Sequence, residues 1–194
     1  MTRQALIVPT LSSERLRLEP LSLDHSAGMF SLWREVEVCR FAGAAHDFEG
    51  RPIALPAESA ADSDRIIDFF ARSRAAGRGF RWALICLAKK RMVGAAGFNT
   101  LGRCSEYAYH LHPDFWGLGY MGEASLVALG WLWSQPGRAE AEVFIDAENR
   151  ASVRLSTRLG FRATGESSGG VARYSLAAPT SENSATLDFC PPGA

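Results

Sequence analysis

Lysine is nearly missing from this chain: Lys89 and Lys90 stand against nineteen arginines. The 21 basic side chains meet 21 acidic ones, so the formal charge is zero. That balance argues against a generic binder of nucleic acid or of anionic membranes, which needs a basic excess. The preference for arginine reads as compositional bias and carries no function. Cysteine is scarce as well. Cys39, Cys86, Cys104 and Cys190 form neither a CxxC pair nor a Cys/His metal spacing, and in 194 residues they read as reduced cytoplasmic thiols rather than a disulfide framework. No apolar run approaches the ~18 residues of a membrane span, and the opening MTRQALIVPT lacks the apolar core of a signal peptide. These absences leave the expectation of a cytoplasmic globular domain with no metal, nucleic acid or membrane partner.

What is there divides into strand-like and helix-like stretches. Residues 15–20 alternate polar and apolar and end at Pro20, the pattern of a half-exposed strand. Asp24 opens a helical pattern carried by Met29, Phe30, Trp33 and Val36. Residues 42–58 read as loop, with Gly43, Gly50, Pro52 and Pro56. The stripe Ile66, Ile67, Phe69 and Phe70 predicts a helix over 60–74. Apolar runs at 80–88 and 92–98 flank Lys89-Lys90-Arg91 and predict a hairpin. A strand over 106–111, a helix over 120–134 and a strand over 142–146 form one βαβ unit. A helix over 149–159, ended by Gly160, precedes a hairpin of 161–166 with 171–176. Hairpins on both sides of a βαβ unit predict an α+β (mixed α/β) fold, with helices flanking a single, largely antiparallel sheet of six to seven strands. The domain is expected over residues 1–176, with 177–194, rich in Ser, Thr, Ala and Pro, as a flexible or dimer-associated tail.

Between strand and helix lies Trp116-Gly117-Leu118-Gly119. Such a loop offers backbone N–H groups and a positive helix end to a phosphate, and glycines let a pyrophosphate approach the backbone. A bare tight turn has the same local sequence. The loop matches neither a Walker loop nor the GxGxxG fingerprint. Taken with its flanks, residues 106–124, it resembles the acyl-CoA-binding motif of the GNAT N-acetyltransferases, nearest to the ribosomal-protein-alanine (RimJ/RimL-type) branch. Residues 14–21 are similar to that branch's first strand, and Asn149-Arg150-Ala151-Ser152 followed by Leu159-Gly160-Phe161 to its second signature. The resemblance runs in order over residues 12–176. It departs at Leu118, where a lysine is common, and at Met121, where a small residue is expected. Met121 either crowds the pyrophosphate or fills the core.

The resemblance implies the GNAT fold and direct transfer of an acetyl group from acetyl-CoA to a primary amine, on a protein N-terminus or a small molecule. It implies cofactor contacts by Leu111, His112, Trp116, Gly117, Leu118, Gly119, Tyr120, Met121, Gly122, Asn149 and Ser152, and it is compatible with a homodimer. The chemistry needs a neutral amine, a donor at the thioester oxygen and a proton for the departing thiolate. Glu106 is the candidate base, or else a solvated strand-end or ion-paired carboxylate. His110 shares its face at period two, as proton relay or structural histidine. Ser152 is the candidate acid, or with Asn149 a helix cap. Trp33, Phe41 and Trp82 are the aromatics expected beside the acceptor. Arg154 and Arg158 meet either the 3′-phosphate or solvent. Arg65, Arg72, Arg74, Arg78 and Arg81, opposed by Asp62, Asp64 and Asp68, read as a charged helix surface. The competing reading is a non-catalytic acyl-CoA-binding or interaction module, favoured by Leu118 and Met121.

Overall fold

The structure is a computed structural model and describes residues 5–179. The first half carries β1 (Leu11–Ser12), β2 (Leu16–Pro20), α1 (Ser26–Trp33), α2 (Val36–Cys39), β3 (Ala45–His46), β4 (Pro52–Ile53) and α3 (Ala60–Ala75). The second half carries β5 (Phe80–Cys86), β6 (Arg91–Thr100), β7 (Cys104–Leu111), α4 (Tyr120–Ser134), β8 (Glu140–Asp146), α5 (Arg150–Arg158), β9 (Arg162–Ser168) and β10 (Val171–Ala177). Eight strands form one sheet in the order β1-β2-β5-β6-β7-β8-β10-β9, and β3 pairs only with β4. The strand beyond the expected six to seven is the two-residue β1, too short for an alternation to register.

Alternation along β5 explains the layers. Phe80, Trp82, Leu84 and Cys86 turn to one face and Ala83 to the other, and all are buried. On the first face α4 lays Met121, Ala124, Ala128, Leu129 and Leu132 over the sheet. On the second face Met29, Leu32 and Trp33 of α1 and Ile66 and Ile67 of α3 cover Ala83 and Ala95. Helices on both faces account for β5 reading as a continuous apolar run.

Two expectations need correction. The helix expected from Asp24 through Val36 is interrupted: a 3-10 turn at Leu23–His25 precedes α1, and Arg34 and Glu35 separate α1 from α2. Glu35 has extended backbone (φ −77°, ψ 119°), and an apolar period continues across such a break unaltered. The loop at 42–58 holds the β3–β4 ladder, clamped by Asp47. This buried carboxylate accepts from Arg51 Nε and Arg65 Nη2, both at 2.8 Å. The tail lies outside the described residues from 180 onward, and so does Cys190; Ala178 still bonds to Ala139 O at 2.8 Å.

Candidate active site

All neighbouring strands of the main sheet run antiparallel except β7 and β8, which α4 connects. Their parallel register holds for Cys104↔Glu140, Ser105↔Ala141 and Glu106↔Glu142, and then stops. Beyond it β7 stays with β6 up to Gly94↔Leu111, while β8 stays with β10 up to Val171↔Asp146. The two strands therefore part into a wedge whose throat is Glu106. His112 N donates to Val93 O at 2.8 Å, so the alternation of peptide groups turns those of Tyr109 and Leu111 toward the wedge. Leu111 O there accepts from Trp116 Nε1 at 2.7 Å.

The glycine loop closes the wide end. Gly117 (φ +74°) and Gly119 (φ +79°) are both left-handed, a conformation other residues adopt at a cost. Gly119 caps α4, and the first amide of this stretch with a backbone acceptor is that of Glu123, bonded to Gly119 O at 3.1 Å. Among the described residues no acceptor takes up the N–H groups of residues 117–122. That row of donors at a helix start fits a diphosphate. Trp116 and Leu118 are half exposed at the rim. Met121 is buried in the core with Ala124 and Leu129, so its side chain turns away from the amides. Arg15 holds the loop from behind. Its Nη1 donates to Leu118 O at 2.9 Å, its Nε and N–H hold Glu123, and its guanidinium lies 4.5 Å from the Tyr120 ring.

Across the wedge stands α5. Asn149 is its cap, with Oδ1 accepting from Ser152 N at 3.1 Å. The Tyr109 hydroxyl reaches from β7 to Ser156 Oγ at 3.3 Å, and the Ser152 side chain faces the same phenol one turn earlier. Burial pushes the Tyr109 hydroxyl above the ordinary tyrosine value, so it remains protonated.

On the other face of β7, Glu106 Oε1 accepts from Asn99 Nδ2. His110 lies against Trp33, ring centroids 4.6 Å apart. Burial first, and then the Arg81 charge, push His110 down to about 3, so it is neutral near pH 7. The structure thus sets it as a neutral ring packed against Trp33. His112 Nδ1 accepts from Asp114 N at 3.3 Å and caps the turn Pro113–Phe115.

Glu106 thus stands where β7 and β8 part, the 111–122 segment follows from β7 into α4, and Asn149 and Ser152 stand at the start of α5. Trp33 borders the Glu106 side, but Trp82 does not. It is fully buried under α4 and donates to Pro9 O at 2.9 Å. Arg154 and Arg158 are exposed. Arg81 is no helix-surface charge; it sits on β5 with 6% exposure. Sequence reasoning misses Arg15, Tyr109 and Asn99. Only Tyr109 leaves a local sign there, a hydroxyl among core-facing residues that needs a partner.

The Acetyltransferase (GNAT) domain model matches residues 15–162. An uncharacterised N-acetyltransferase of Bacillus subtilis, YoaA, is 26% identical over 160 residues, covering 81% of this chain and 85% of that protein. The solved RimL ribosomal L7/L12 α-N-protein acetyltransferase in complex with coenzyme A superposes with a TM-score of 0.72 at 16% identity, over 87% of this chain and 98% of that one. The ribosomal-protein-S5-alanine acetyltransferase of Vibrio fischeri gives 0.71 at 11% identity, over 88% and 97%.

Proposed function

The chain belongs to the GNAT acetyltransferase family, which uses acetyl-CoA, and we propose that it acetylates a primary α-amine by direct attack on the thioester. The observation that carries this reading is the parting of β7 and β8 at Glu106. The reading is supported by Glu106 lying on one face of β7 at that parting and by the hydroxyls of Tyr109, Ser152 and Ser156 on the other. The amides of residues 117–122 hold the diphosphate, and the wedge-facing peptide groups of Tyr109 and Leu111 pair with the pantetheine chain and polarise the thioester oxygen. Asn149 shapes the α5 end of that channel. Ser152, backed by Tyr109 and Ser156, gives a proton to the departing sulfur. Glu106 Oε2, which accepts nothing among the described residues, takes the proton that the neutral amine sheds as its nitrogen bonds to the thioester carbon.

The α-amine preference follows from that single base. With an amine pKa of ~8, about a tenth of α-amine is already neutral at pH 7, against well under a thousandth of a lysine amine. His110, neutral with a value of about 3, supplies no second base. A peptide N-terminus, the target named for RimL, satisfies this chemistry.

The test is thiol release from acetyl-CoA with an alanine-initiated peptide as acceptor. Glu106→Gln is expected to lower kcat by about 10²–10⁴ with acetyl-CoA affinity kept. An unchanged rate in Glu106→Gln removes the base role. A native protein that binds acetyl-CoA and transfers to no amine is instead the non-catalytic module. Met121 does not argue for that module, because its side chain lies in the core.

A further inference from the structure

The Glu106 carboxylate ends a chain of polar groups that begins in the core. Arg81 is nine-tenths buried, lies 4.2 Å from the Phe70 ring, and has no carboxylate bonded to it among the described residues. Its Nη1 donates to Phe80 O at 3.2 Å, and its Nη2 donates to Asn99 Oδ1. Asn99 in turn donates through Nδ2 to Glu106 Oε1. Asn99 is placed there by an irregularity of β6: the register passes from Phe98↔Tyr107 to Thr100↔Glu106, leaving Asn99 unopposed. Such bulges re-aim a side chain.

We propose that Arg81 and Asn99 are positioning residues that fix which way the Glu106 carboxylate faces, an inference that rests on the base role of Glu106. The donor inventory dictates the direction. A guanidinium has only donors, so the amide oxygen of Asn99 must face Arg81 and its NH₂ must face Glu106. Glu106 Oε1 is then committed as an acceptor, and Oε2 alone is left to take a proton from the amine. The neighbouring carboxylate shares the face but is occupied otherwise. Glu142 accepts from Arg173 Nε at 2.6 Å, and Arg173 also reaches Glu140 and Glu166 at 3.3 Å. The charged groups around Glu106 are thus Arg81 from β5, Glu142 from β8 and Arg173 from β10, with neutral His110 further along β7. None of these bonds to Glu106; among the described residues its carboxylate accepts from the side chain of the uncharged Asn99 alone.

Asn99→Asp separates positioning from support. The introduced carboxylate still accepts from Arg81, so the melting temperature and acetyl-CoA affinity are expected to stay native, yet it has no donor for Glu106. With the alanine-initiated peptide as acceptor, kcat is expected to fall at least about tenfold. In the Glu106→Gln background the same substitution is expected to cost nothing more, because coupled residues are non-additive. Asn99→Ala, run through the same cycle, serves should Asn99→Asp fail to fold. An acceptor-independent arm follows the Asn99 side-chain NH₂ resonances by NMR on acidification. They are expected to move as the carboxylate is protonated, and to stay still in Glu106→Gln. Native kcat in Asn99→Asp beside a slow Glu106→Gln overturns the inference alone. An NH₂ signal that titrates equally in Glu106→Gln does so as well, by assigning the donor to Glu142. Full activity of Glu106→Gln overturns the base role instead.

Discussion

Met121 and Gly117 sit four residues apart and do opposite work. Met121 is 6% exposed among Ala124, Ala128 and Leu129, so Met121→Ala is expected to lower stability by about 2–5 kcal/mol and to leave acetyl-CoA affinity per folded molecule unchanged. Denaturant melts and isothermal titration on the same samples separate the two effects. Tighter binding would mean that the side chain crowds the cofactor after all. At Gly117 an added Cβ meets nothing within 4 Å, and aspartate tolerates the left-handed backbone better than most residues. Gly117→Asp therefore keeps the fold and sets a carboxylate among the free amides. Acetyl-CoA affinity is expected to drop at least about tenfold, roughly 1.4 kcal/mol, with less loss for a fragment lacking the diphosphate. The loop's identity is legible in the sequence because glycine spacing before a helix is local. The direction of Met121 is not, since a residue in the first helical turn has both core and loop within reach.

At the scale of elements, the start of α4 is held by β2's approach segment. Arg15 joins Leu118 O and Glu123 across more than a hundred residues, and nothing local in the sequence links them. Arg15→Met keeps the stem over Tyr120 but frees the loop. Acetyl-CoA affinity is expected to fall about tenfold with a small change in melting temperature, and native affinity would show that the loop needs no support from behind. The β3–β4 ladder gives a pH prediction. The hydrogen bond from Arg65 first, and then those from Arg51, hold the Asp47 carboxyl well below the usual carboxylate range. A lowered folded value gives stability that is present above the unfolded value of ~3.9 and is lost as pH falls through the folded one. Asp47→Asn is accordingly expected to melt below the native protein at pH 7, with the gap closing on acidification. A gap independent of pH would place the contribution in packing rather than charge. The ladder hides in the sequence as plain loop because two-residue strands held by side-chain ion pairs carry no periodicity.

Across the whole molecule, the order of elements and the βαβ unit can be read from alternation and turn residues, because each depends on neighbours in sequence. The expected helix 120–134 matches α4 to the residue. The hidden part is what the sheet assembles laterally. Arg81, Asn99 and Glu106 lie on three adjacent strands, and Arg81 in isolation joins the run of arginines that α3 presents to solvent. Tyr109 meets Ser156 only because β7 leaves β8. The same parting of strands makes the wedge, and everything proposed for the site depends on the wedge and glycine loop together binding acetyl-CoA. A thermal-stability titration with acetyl-CoA, run on the native protein and on Gly117→Asp, decides this. At 100 times the dissociation constant the native protein is expected to gain about 2.7 kcal/mol, a rise of roughly 5–10 °C, while the variant at the same concentration gains far less. No shift of the native protein at millimolar acetyl-CoA, or equal shifts in both, would refute binding at this loop.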